Sequence, residues 1–471
     1  MRRLSFPLAA LSEAQSAALC AALCAALSFS CGSAPAARVE RPPVSDAARI
    51  LSAASGLLSE RRYDEALAVF DRLSAQDAGK PAVRLVRASV LLSAGRVDEA
   101  KALAEAVLAE DPANKDARYV LSEAALAAGG DKAQRAALEQ LVAEDPSNTR
   151  ALASLGNIAL RARSFKTAAG WYQKALASEA GNADALVGMG EICRLQDDGE
   201  RARAYLDQAV ALYPRNADAR HERGRLARQQ KRYGEALSDF AEAACLAPDA
   251  YWVALDRGTL LIDLRRKREA LLEFERAQAI NPNEFLAYVY SAGIKDEQGD
   301  WAGAEADYAA ACRINPEYYF ALEGLGVLRM RRGDWAGAKE AFGAAFVQAP
   351  KEYHYALLAA INWIKADGPS APRAFLEAAM RPLKRDSMEY RITRLFFDFT
   401  GGVFSGENDM VLKLEKIEIP RQRARLSFYM GNYYELRGFR DTAAAFYQAV
   451  RAVNYRAMPE WRLNEWALGG E

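Results

Sequence analysis

The chain has 471 residues, 62 basic and 62 acidic side chains and therefore no formal net charge, with 51% of its residues apolar. Charge neutrality removes any global pull toward nucleic acid or an acidic lipid surface. Two histidines (His221 and His354), no Gly-rich phosphate loop, no Gly-x-Ser-x-Gly elbow and no His-Glu-x-x-His pair leave no catalytic constellation, so no enzyme is expected and no cofactor or metal.

The first 30 residues read as a signal peptide. After Met1-Arg2-Arg3, no residue from Ala14 to Ser30 is charged, and 16–29 is mostly Ala and Leu. Such a run is short for a membrane span and suits the apolar region of a secretory signal. Leu27-Ser28-Phe29-Ser30 then precedes Cys31. This resembles the lipobox of bacterial lipoproteins in its relaxed, spirochaete-like form, with leucine four residues before the cysteine. The resemblance implies cleavage before Cys31 and acylation of its thiol, and several acyl chains hold far better than one. A cleaved secretory protein, an uncleaved anchor and a different start codon are the other readings. Residues 31–46, with Gly, Ser, Ala and Arg41-Pro42-Pro43, read as a flexible tether beyond the lipidated cysteine. Of the other cysteines, Cys193, Cys245 and Cys312 fall in separate parts of the chain without Cys-x-x-Cys spacing, which suits packing better than metal or redox chemistry.

From 47 to 352 the sequence repeats every 34 residues without insertion or deletion. Pro112, Pro146, Pro214, Pro248, Pro282, Pro316 and Pro350 share one phase, with Ala78 and Ala180 in the same register. Nine frames fit, beginning at 47, 81, 115, 149, 183, 217, 251, 285 and 319. Position 8 is always small (Gly156, Gly190, Gly224, Gly258 and Gly326 among them), position 20 is alanine except at Gln134, and position 24 is bulky except at Ala104. Bulky residues at helical spacing, opposed by small ones that admit a second backbone, describe a helical hairpin. Proline at position 32 stops the second helix. Gly-Asp-Trp at 299–301 and 333–335 marks the turn inside a pair. One hairpin cannot bury its apolar face alone, so the core must come from stacking.

The pattern resembles the tetratricopeptide repeat (TPR) family over 306 of the 471 residues. The resemblance implies an all-α, right-handed superhelical solenoid of helix-turn-helix hairpins that serves as a protein-protein interaction scaffold. In that family positions 2, 5, 9, 12 and 13 of each first helix line a concave groove. Here those positions carry Arg161, Arg194, Asp218, His221, Arg225 and Arg228, then Trp252, Leu255 and Asp263, then Asp296, Glu297 and Phe320. The expected partner-binding groove is Arg161, Arg194, His221, Arg225, Arg228, Trp252, Asp263, Asp296 and Glu297: basic in the middle, apolar around Trp252, acidic beyond. An extended or helical peptide is expected there, its acidic end toward Arg225. Solvation of a mixed-charge face is the plainer reading. The Lys or Arg at position 5 and Asn at position 9 that grip a chaperone carboxylate are absent as a set; only Asn157 matches.

After residue 352 the phase fails, and 353–420 reads as degenerate helical hairpins. A first helix over Tyr353–Lys365 is broken by Asp367-Gly368-Pro369-Ser370-Ala371-Pro372. Helices over 374–383, 388–399 and 409–417 follow, with Gly401-Gly402 between the last two. Residues 421–471 read as a TPR-like hairpin and a capping helix over 459–468, which covers the last apolar face. In that hairpin the turn is expected to be one residue shorter, with Thr442 at the second-helix alanine position. The chain is thus expected to be a lipid-anchored scaffold of the bacterial cell envelope, on the outer or inner membrane, binding proteins or peptides rather than nucleic acid or a small-molecule substrate. A surface-exposed adhesin is the alternative.

Overall fold

The computed structural model describes residues 53, 54, 57, 62–399, 407–456 and 458–469. The signal segment, Cys31, the tether and Gly401-Gly402 lie outside them. All regular structure among the described residues is helical. The chain forms two compact units, Met1–Pro248 and Asp249–Glu471.

The first unit contains α1 (Tyr63–Phe70), α2 (Ala75–Ala78), α3 (Pro81–Ser93), α4 (Val97–Glu110), α5 (Lys115–Gly129), α6 (Asp131–Glu144), α7 (Thr149–Arg161), α8 (Phe165–Ser178), α9 (Ala183–Leu195), α10 (Gly199–Leu212), α11 (Ala217–Gln229) and α12 (Tyr233–Leu246). The second contains α13 (Tyr251–Asp263), α14 (Lys267–Ile280), α15 (Phe285–Glu297), α16 (Trp301–Ile314), α17 (Tyr319–Arg331), α18 (Trp335–Gln348), α19 (His354–Asp367), α20 (Arg373–Met380), α21 (Met388–Phe397), α22 (Glu407–Glu415), α23 (Pro420–Leu436), α24 (Arg440–Val453) and α25 (Pro459–Ala467). From α3 to α18, every first helix begins at position 1 of its frame and every second helix at position 17.

Local chemistry sets these starts. At position 34, Asn114, Asn148, Asn182 and Asn216 accept hydrogen bonds from the backbone N–H three residues on, at 3.0, 3.0, 3.0 and 2.8 Å. Each satisfies a donor that a helix N-terminus leaves orphaned. Asp198, Asp300 and Asp334 cap second helices in the same way. The turn between paired helices passes through a left-handed residue, at position 15 except between α5 and α6, where it is Gly130 at position 16. Position 15 is glycine at Gly95, Gly299 and Gly333, but Arg163, Asp197, Lys231 and Arg265 hold φ of 57–63° there.

In the hairpins of Phe240, Phe274 and Phe342 the position-8 glycine lies under the position-24 ring. A Cβ on Gly224, Gly258 or Gly326 would sit 2.7, 2.6 and 2.8 Å from Phe240, Phe274 and Phe342, well inside van der Waals contact. Only glycine leaves room for these rings, all of them fully buried. The position-20 alanines are buried too, and the exception, Gln134, donates its amide N–H to Glu123 at 2.9 Å while its Oε1 is buried without a partner.

In the second unit one large core gathers side chains from α17 through α25, from Leu322 to Leu463. The α23–α24 hairpin corrects the expected short turn. Gly431 faces the Tyr447 ring as Gly326 faces Phe342, at the same spacing. Gly438 takes the left-handed turn position at φ 86°. Ala443 is therefore the buried second-helix alanine, and Thr442 is exposed.

Candidate docking surface

In the first unit the groove positions come from α7, α9 and α11. Arg161, the last residue of α7, is exposed and donates to Asp131 of α6 at 2.7 Å. Arg194 of α9 is buried, its guanidinium edge 3.2 Å from the buried Glu222 carboxylate of α11. Arg225 donates to the other Glu222 oxygen at 2.7 Å. Glu191 of α9 completes the group, 3.9 Å from both Arg194 and Arg225. His221 is buried, with its ring centroid 5.6 Å from that of Phe240. Arg228 is half-buried in the last turn of α11.

Two arginines and two glutamates thus form one cross-helix network, where the sequence suggested a basic centre. Glu191 and Glu222 were missed. Glu191 occupies position 9, on the groove side, one full period before Arg225, and that phase was the available signal. Burial works against the Glu222 carboxylate, but Arg225 and Arg194 outweigh it and hold its pKa below the ordinary value. Glu191 has the weaker contacts. Burial first, then the Glu222 charge, push it up to about 7.

In the second unit Trp252 of α13 is half-buried and meets Tyr251 edge-on at 5.0 Å. Asp263 is exposed at the end of α13. Glu297 is exposed at the end of α15 and ion-paired with Lys267 of α14. Asp296 is not an open acidic contact: its carboxylate, 7% exposed, accepts a 2.6 Å bond from Arg462 of α25. Position 2 is apolar in this unit, at Trp252, Leu286 and Phe320, where the first unit, after Ala82, has Asp116, Arg150, Asp184 and Asp218.

The first unit's face thus centres on an ion network, and the second unit's combines ion pairs with aromatic and aliphatic side chains at position 2. Among the described residues no group of His, Cys, Asp and Glu is placed to hold a metal ion, and no helix is long and apolar enough to cross a membrane. Tetratricopeptide repeat models match residues 57–107, 91–158, 196–252 and 255–319. The chain belongs to the tetratricopeptide repeat family. No curated protein matches this TPR chain. Among solved structures it is similar to pilF of Pseudomonas aeruginosa, with 22% identity over 45% of this chain and 96% of that one and a TM-score of 0.41. It is similar to a tetratricopeptide repeat protein of Parabacteroides merdae at 16% identity, covering 53% and 98%, with a TM-score of 0.40. YrrB, described as a TPR protein with an unusual peptide-binding site, is 23% identical, with coverage of 40% and 95% and a TM-score of 0.33. TPR repeats of this kind make a protein-interaction scaffold.

Proposed function

We propose that this TPR protein is a non-enzymatic scaffold of the bacterial cell envelope, anchored by lipid at Cys31, that takes up protein or peptide partners on the first-helix face of α9 and α11. The observation that carries the docking site is the uneven network there. Arg225 is shared between a close carboxylate, Glu222 at 2.7 Å, and a distant one, Glu191 at 3.9 Å. An incoming acidic side chain can take the Glu191 place at Arg225 and leave the tight pair intact. Exchange of a long contact for a short charge-assisted bond is favourable, and Arg228, one turn further along α11, extends the basic edge. The apolar run ahead of Cys31 supports the anchor.

The test is a crosslinking pull-down from membranes. Arg225→Glu with Arg228→Glu should lose the partners that the wild-type chain captures while its helical circular dichroism is unchanged. Capture undiminished in the double variant would remove this face from consideration. For the anchor, Cys31→Ser should move the protein from the detergent phase to the aqueous phase, and persistence in detergent would refute lipidation there.

A further inference from the structure

The C-terminal helix does more than cover an end. One edge of α25 belongs to its neighbours: Leu463 is buried in the core of the second unit, Glu460 accepts from Tyr429 at 2.9 Å, and Asn464 donates to the Tyr447 carbonyl at 3.0 Å. The other edge reaches back to residues far earlier in the chain. Arg462 meets Asp296 of α15, and Trp466 lies 5.2 Å from the Arg331 guanidinium of α17. Arg331 in turn packs over the Trp301 ring at 3.0 Å, so its cation lies between two tryptophans. Asp296 and Arg331 are positions 12 and 13 of their repeats, the side that lines the groove in this family.

We infer that the groove face of α15 and α17 is a helix-binding site, held in this structure by α25 as a tethered ligand, and that its external partner is an amphipathic helix presenting an arginine and a tryptophan one turn apart. Arg462 and Trp466 are such a pair, four residues apart on one side of a helix. Asp296 supplies the charge complement and Arg331 the cation for the ring. The seat of α25 is also incompletely matched: Glu460 Oε2, Asn464 Oδ1, Trp461 Nε1 and Arg331 Nε are buried without hydrogen-bond partners. Unpaired buried polar atoms weaken a seal: release of α25 returns its own three to water, and a partner that pairs Arg331 Nε gains in addition. In the connection to α24, Asn454, Tyr455 and Arg456 are exposed, with Asn454 in the left-handed region at φ 47°.

The inference extends the proposed docking function to the second unit and fails separately from it, because its assay does not involve Arg225 or Arg228. A protease-recognition sequence is inserted between Tyr455 and Arg456 of the full chain, which leaves every side chain of α25 unaltered. After cleavage, a fluorescein-labelled peptide of residues 458–471 is offered. The labelled peptide should exchange into the folded, cleaved chain. The same peptide carrying Arg462→Glu should bind at least about tenfold more weakly, and an Asp296→Arg chain should reverse that preference. Absence of exchange, loss of helicity when the segment leaves, or equal binding of the two peptides would each show α25 to be fixed core and overturn the inference.

Discussion

Gly326 and Gly343 sit in one hairpin, both in helix interiors, and alanine should stabilise only at the second. Gly326, in α17, would place a Cβ 2.8 and 2.9 Å from two carbons of Phe342. That ring is fully buried, so it has nowhere to yield. Forcing a methyl into a packed core costs about 1–3 kcal/mol. Gly343, in α18, would meet nothing within 4 Å. Both changes gain about 0.8–1 kcal/mol of helix propensity. The Gly343→Ala chain should therefore be stabilised by nearly that gain, and Gly326→Ala should range from neutral to destabilised by about 2 kcal/mol. The quantity that isolates the clash is the difference, about 1–3 kcal/mol. It can be read from guanidinium midpoints of the two variants and wild type in one buffer. Phe342→Leu should reduce the Gly326→Ala penalty, because contacting residues do not add. Equal stabilisation by the two alanines would refute the close approach of α17 to the Phe342 ring, and with it the account of why position 8 is small.

Three further outcomes are expected. Glu191, pushed up to about 7 in the folded chain from an ordinary 4.5, holds a proton there that the unfolded chain has already released. Its contribution to stability is full below about pH 4.5 and is lost as the pH rises through about 7; Glu191→Gln cannot ionise and should remove this loss. Urea titrations should show the variant gaining about 1–3 kcal/mol on wild type between about pH 5 and about pH 8, and parallel pH profiles would refute the assignment. Asn148→Ala deletes the cap on α7 and should cost about 1 kcal/mol by the same measurement; no change would mean that the Ala151 N–H is satisfied without it. Lys231→Gly relieves a left-handed backbone at φ 59° and should stabilise by a few tenths to about 1 kcal/mol, the strain less the entropy that glycine adds. A destabilised Lys231→Gly chain would show that the Lys231 side chain contributes more than its turn costs.

The hairpins were legible because three requirements act at fixed distances along the chain. A proline follows most second helices, a small residue admits the partner backbone, and in most frames a ring fills the space opposite, so a period of 34 marks all three. What escaped the reading had weaker or displaced signals. The asparagine at position 34 stands only in the frames before α5, α7, α9 and α11, and Ala250, Glu284 and Tyr318 replace it later. Register in the α23–α24 hairpin was misplaced because Thr442 was aligned by distance from a supposed short turn. Alignment on the glycine–ring pair, Gly431 and Tyr447, puts Ala443 in the alanine position.

The docking surface was less legible, because charge on a helix face says nothing about its partner until neighbouring helices are placed. Yet most of the pairs obey a rule that the repeat itself supplies. Arg194 and Glu222 are 28 residues apart, Arg161 and Asp131 are 30, Lys267 and Glu297 are 30, and Tyr119 and Ser154, hydroxyl to hydroxyl at 2.9 Å, are 35. Stacked repeats bring residues about one period apart together, so a charge on the groove side should be weighed with the residues near 34 positions before and after it. Under that rule Arg225 would have been matched with Glu191, and the centre of the face read as a neutral network with one weak contact. Asp296 lies beyond any such rule. Its partner Arg462 is 166 residues away, on a helix outside the periodic phase, and only the folding of α25 back onto α15 and α17 brings them together. A periodic sequence therefore encodes its local pairs by phase, while the element that ends the stack chooses its contacts by tertiary packing alone.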